Sequence, residues 1–158
     1  MKIFIYILFL FIINGCEKTK LLPITSENLI EIISNLKGEK AVLVNIWALW
    51  CIPCVEEFPM IVKLHNEIKD LEVIFVSADF EDQFNDVVAF LNRYNLGLYS
   101  YIKMQKDDSF IEEMHPNWNG GLPFTIVYGK NTGNIVDYWE GKEHVSRFLD
   151  AVSLALDS

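Results

Sequence analysis

Three cysteines in 158 residues are too few to staple a small fold together, so each thiol has to be explained by its own neighbours. Cations are scarce too: 13 Lys and Arg stand against 22 Asp and Glu, a formal net charge of −9. Nucleic-acid binding relies on Lys and Arg to release counterions from phosphates, and no basic patch is visible, so nucleic acid is excluded as the expected partner. The chain has neither a second Cys pair nor a His-x-x-x-His pair, and His65, His115 and His144 are scattered. Structural zinc, which normally takes four ligands, therefore has no donor set, and no metal or other cofactor is expected. Internal repeats and low-complexity stretches are also missing. The longest apolar run, Ile3 to Ile13, would span roughly 16 Å as a helix at ~1.5 Å per residue, about half of a ~30 Å hydrocarbon core. A permanent transmembrane helix is thus disfavoured.

What remains is a chain that should fold. Apolar residues make up 51% and charged residues 22%, with eleven Phe, six Tyr and four Trp, enough for one core and too hydrophobic for disorder. Length leaves room for one domain and a short appendage.

That appendage is at the N-terminus. Lys2, the apolar run, and then Asn14-Gly15-Cys16 have the layout of a secretory signal. Ile13-Asn14-Gly15-Cys16 resembles a bacterial lipobox, which implies that Cys16 is the acylated residue and that the signal is cut just before it. The expected organisation is a signal over residues 1–15, a lipid-anchored tether over 16–24 and a globular domain over 25–158. Several acyl chains would hold such a protein stably on a bilayer.

Within the domain, Thr25 or Ser26 caps an amphipathic helix that carries Leu29, Ile33 and Leu36. Ala41 to Trp47 reads as a strand buried on both faces, and a helical pattern follows from Trp50-Cys51-Ile52-Pro53-Cys54 to about Lys69. Leu71 to Ser77 is a second strand and Phe84 to Tyr94 another helix, an alternation that predicts parallel pairing with helical crossovers. A weak strand near Leu98 to Lys103, a short helix near Ser109 to Met114, a hairpin from Pro123 to Glu140 and a final helix complete the chain. The fold class is α/β, a central mixed sheet flanked by helices.

Cys51 and Cys54 stand three positions apart where a strand meets a helix. At a helix N-terminus unpaired amides and the helix dipole stabilise a thiolate, so Cys51 is the expected nucleophile. Cys54, one turn further in, is placed to resolve a mixed disulfide on Cys51. Pro53 suits the first helical turn, where its missing N–H would have been unpaired anyway. Helical spacing sets Glu57 one turn from Cys54, within reach to exchange a proton with that thiol.

Val44 to Cys54, with both Trp47 and Trp50, resembles the strand and active-site turn of the thioredoxin superfamily. Pro59 falls where that family kinks its active-site helix, and Leu122-Pro123 looks like its cis-proline loop. Trp-Cys-x-Pro-Cys followed by Glu57-Phe58-Pro59 is similar to the TlpA/ResA-like thiol:disulfide oxidoreductases of the bacterial cell envelope. The stretch Trp118 to Pro123 also looks like theirs. The resemblance implies a thioredoxin fold and catalytic Cys51, Cys54 and Glu57. It also implies a substrate-contacting surface of Trp50, Ile52, Pro53, Leu122 and Pro123. Asn45 stands where cytosolic thioredoxins carry a buried aspartate, which increases the burden on Glu57.

The expected function is that of a lipid-anchored, periplasm-facing reductase. It would take electrons from a membrane-bound donor and reduce disulfides in exported proteins, with apocytochrome c thiols a typical target of the family. A disulfide oxidase or isomerase on the same fold, a non-catalytic binding module and a copper-handling protein are the alternatives. Peroxidase activity is disfavoured, because Ala48 stands three before Cys51 where a peroxidatic cysteine would have Thr or Ser.

Overall fold

The computed structural model describes residues 20–94 and 99–158; the expected signal over residues 1–15 and Cys16 lie outside them. Six strands and five α-helices follow one another in this part of the chain: β1 Lys20–Ile24, α1 Ser26–Asn35, β2 Ala41–Trp47, α2 Ile52–Glu67, β3 Leu71–Ser77 and α3 Phe84–Leu91, then β4 Tyr99–Lys103, α4 Asp107–Met114, β5 Phe124–Tyr128, β6 Ile135–Glu140 and α5 Val145–Asp157. The sheet order is β1-β4-β3-β2-β5-β6. The first four strands in that order pair in parallel, and β5 and β6 run antiparallel as a hairpin. This is the mixed sheet expected of the sequence.

Every residue of β2 is buried, so its side chains fill two cores at once. Leu43 and Trp47 point to the face covered by α2, α3 and α5, where Phe58, Phe75, Phe90 and Phe148 gather. Val42, Val44 and Ile46 point to the other face, with Leu29 of α1 and Phe110 of α4. Period-two alternation puts Asn45 on the α2 face with Leu43 and Trp47. A polar side chain is thereby committed to the core beneath the helix that starts at the cysteines.

Aromatic packing holds α2 to the sheet. Phe58 stacks on Phe75 with ring centroids 4.1 Å apart and meets Trp47 at 4.8 Å. Pro59 lies inside α2, on its exposed side, where its missing N–H interrupts the hydrogen-bond ladder.

One boundary differs from expectation. Residues 20–24, assigned above to the tether, form the edge strand β1, which pairs with β4 in register from Lys20↔Tyr99 to Ile24↔Lys103. Leu21 and Ile24 are buried while Leu22 and Pro23 face out. Pro23 obscured the strand in the sequence, yet an edge strand tolerates proline because one of its sides has no partner to lose.

Candidate active site

The site forms where β2 ends. Past Trp47 the chain turns through Ala48-Leu49-Trp50, with the Cys51 N–H donating to Ala48 O at 3.1 Å. Cys51 then caps α2: its backbone is extended and its Sγ accepts the Cys54 N–H at 3.3 Å. Cys51 and Cys54 are joined as a disulfide with their Cα atoms 5.3 Å apart. Cys51 is 5% exposed and Cys54 1%, an asymmetry that makes Cys51 the sulfur nearer to solvent. Pro53 sits in the first turn, as its chemistry demands.

Glu57, one turn after Cys54, is 2% exposed. Its Oε1 accepts from Asn45 Nδ2 at 3.1 Å, and the same amide group donates to Thr125 Oγ1 at 3.1 Å. Thr125 is the residue paired with Asn45 across β2 and β5, so the strand register fixes this triad. Glu57 Oε2 is buried with no hydrogen-bond partner among the described residues. Burial raises the Glu57 pKa to about 7; the Asn45 hydrogen bond, the Glu143 amide and the Lys142 charge pull it down, and the Glu143 charge adds a little upward. A carboxyl poised near neutrality beside a buried thiol can hold or release a proton at physiological pH. Lys142, on the loop between β6 and α5, pairs with Glu56 at 2.6 Å and so ties that loop to α2.

The Leu122–Pro123 peptide is cis. Pro123 is buried, and its carbonyl accepts the Gly141 N–H at 2.8 Å, which joins this loop to the end of β6. Trp118, before the loop, is 6% exposed: it stacks on Phe124 with centroids 4.6 Å apart, and its Nε1 donates to Gly121 O at 2.9 Å. Gly120 has φ +87°, a left-handed backbone that favours glycine, while the nearest atom to a Cβ there would be the terminal methyl of Ile111, which can shift.

Trp50, Ile52 and Phe80 are exposed by 59%, 71% and 65%, a concentration of large apolar surface around the disulfide. Trp50, Phe80, Phe110, Ile111, Trp118 and Leu122 line a cavity of about 140 Å³. Lys103 and Asp107, paired at 2.6 Å, also line it. Such a volume suits one aromatic or branched aliphatic side chain: an apolar cavity of about 150 Å³ is enough for benzene.

The structure therefore brings Trp50, Cys51, Ile52, Pro53, Cys54 and Glu57 together on one turn and helix start, with Leu122 sharing the Trp50 cavity. Trp47 and Trp139 are buried, as expected of structural residues. Phe80, Asp79 and the Lys142-Glu143 loop were not anticipated; they reach the site through strand register and loop packing, which leave no local pattern. Among the described residues no group of three or more His, Cys, Asp or Glu is placed to hold a metal ion.

Residues 22–139 match the family model described as the AhpC/TSA family, a span that includes both cysteines and Pro123. The chain is 40% identical over 68 residues to the thioredoxin-like protein YneN of Bacillus subtilis, 40% of this chain and 38% of that protein. It is 30% identical over 135 residues to the thiol-disulfide oxidoreductase ResA of Halalkalibacterium halodurans, 77% of this chain and 72% of the relative. The match thus spans about two fifths of the first relative's length and about seven tenths of the second's. Among solved structures, a thiol:disulfide interchange protein of the thioredoxin family from Chlorobium tepidum superposes with a TM-score of 0.64 at 23% identity. That superposition covers 78% of this chain and 83% of the other, a likeness of fold.

Proposed function

Since this chain belongs to the AhpC/TSA family and has the thioredoxin fold, we propose that it is a thiol:disulfide oxidoreductase acting as a reductase of exported proteins. The observation that carries the reading is the Cys51–Cys54 disulfide at the start of α2, with Glu57 buried one turn beyond.

In the reduced protein Cys51, at the helix N-terminus, is the thiolate that attacks one sulfur of a client disulfide. A mixed disulfide forms and one client thiolate leaves. Glu57 takes the proton of Cys54, whose thiolate attacks Cys51 Sγ. The protein disulfide reforms, the second client thiolate leaves, and the client has gained two electrons and, from solvent, two protons. A membrane-bound donor would return the two electrons to the protein.

Trp50, Ile52, Pro53, Leu122 and Pro123 would receive the client chain, with the 140 Å³ cavity beside Trp50 taking an apolar side chain next to its cysteine. Cys16 would be acylated and hold the domain on the bilayer, facing the periplasm; apocytochrome c is one client class that this placement allows.

Replacing Cys54 with Ser tests the exchange step. Cys54→Ser is expected to accumulate mixed disulfides through Cys51 and to lose turnover. A variant with full activity and no trapped client would end the catalytic reading. Cys16→Ala should release the protein from membranes, and continued membrane retention would count against the anchor.

A further inference from the structure

Asp79 is not used in the exchange steps proposed above, yet the residue is only 2% exposed and its carboxylate lies against the turn that carries Cys51. Strands β2 and β3 stay in step to their last pair, Trp47↔Ser77, and the Ala78 N–H donates to Trp47 O at 2.8 Å. That register brings Asp79 beside Leu49. The Leu49 N–H is shared by Asp79 Oδ1 at 3.0 Å and Oδ2 at 3.1 Å. Ser77 Oγ donates to Oδ2 at 2.8 Å while accepting the Asp79 N–H at 3.1 Å. From Leu49 the turn runs on to the Cys51 N–H on Ala48 O, and then to Cys51 Sγ.

A buried carboxylate normally requires a cation, and none pairs with Asp79 among the described residues; its partners are neutral donors. Burial pushes its pKa up and the hydrogen bonds from Ser77 and Leu49 pull it back. Asparagine could accept the same N–H without carrying a charge into the core. The turn alone does not explain the acid.

We propose that Asp79 is a positioning residue of the redox couple: its carboxylate fixes the turn before Cys51, and its negative charge disfavours the Cys51 thiolate, which keeps the couple reducing. The inference rests on the reading of Cys51 and Cys54 as a redox pair. The sign follows from exchange chemistry. A less stable thiolate means a less stable dithiol form, hence a disulfide that is harder to reduce and a dithiol that gives up its electrons more readily.

Asp79→Asn keeps an oxygen for the Leu49 N–H and removes the charge. In the reduced full chain, the pH dependence of Cys51 alkylation should move down by about one unit, a roughly tenfold rise in thiolate fraction below the pKa. Equilibration with glutathione at a pH above the Cys51 pKa of both proteins should show a roughly tenfold loss of disulfide relative to dithiol, about 30 mV towards oxidising. Other charged groups near the turn are Glu81 and Asp82, both exposed, and the Lys103–Asp107 pair beyond Phe80. Glu57 titrates within the site, so the comparison is repeated in a Glu57→Gln background, where the Asp79 shift should persist. If Asp79→Asn does not fold, Asp79→Ser serves: it too removes the charge, with a smaller side chain, and both readouts should move the same way. A wild-type couple that is reversible but unmoved by these variants overturns the role of Asp79 and leaves the functional reading intact. A wild-type chain with no reversible couple overturns both.

Discussion

Glu57 is the residue whose chemistry is most exposed to test. Its folded pKa of about 7 lies above the ordinary 4.5, so the folded protein binds more protons than the unfolded chain between those values. Stability is therefore favoured at low pH and lost as pH rises from about 4.5 through 7, by at most about 3 kcal/mol for a shift of this size. Glu57→Gln, which keeps the shape and cannot ionise, should flatten that slope and leave the variant more stable than wild type at pH 8. Urea unfolding of the oxidised proteins at pH 5 and pH 8 measures it; an unchanged slope contradicts the buried, proton-holding carboxyl. Trp50 gives a second residue-scale prediction. Trp50→Ala should raise KM for apolar client peptides several-fold while leaving the Cys51/Cys54 potential within about 10 mV, since it removes contact area and not charge. Cys51, Cys54 and Glu57 were legible in the sequence because their relation is local, set by helical spacing over six positions. Asp79 was not, because its contact with Leu49 exists only once β2 and β3 are paired in register.

At the scale of elements, the period-two and helical patterns marked the elements from α1 to α5, and the cores they fill follow from the fully buried β2. The exception is β1. Its five residues contain a proline and only two buried side chains, too little signal to separate a strand from a tether. Mutation distinguishes the two descriptions. Ile24→Ala should cost about 2 to 4 kcal/mol of unfolding free energy if Ile24 packs in the core beside α1, and almost nothing if it lies on a free tether. Likewise Phe58→Ala, which removes the ring joining Trp47, Phe75 and Phe90 under α2, should cost about 3 to 5 kcal/mol and loosen the helix that presents both cysteines. Denaturant midpoints at constant m-value report both.

For the whole molecule, the acidic chain, the mixed sheet and the cysteine pair describe a scaffold built around one surface. Both ends of that surface are fixed by the sheet: the C-terminal ends of β2 and β3 set the cysteine turn, and the loop before β5 sets Pro123. Large apolar side chains are exposed beside it at Trp50, Ile52 and Phe80, where a client chain would dock. The direction of electron flow is a property of this assembly as a whole, since thiolate stability at Cys51 sums the helix N-terminus, Glu57 and Asp79. The reduction potential of the Cys51/Cys54 couple, measured by equilibrating the full chain against dithiol and glutathione buffers, separates a reductase from an oxidase. A reductase is expected to show a reversible couple at about −250 mV or below, near the ~−270 mV of thioredoxin. A value between about −180 and −120 mV, the range of known isomerases and oxidases, would contradict the reductase direction, and the lack of any reversible disulfide would contradict the couple itself.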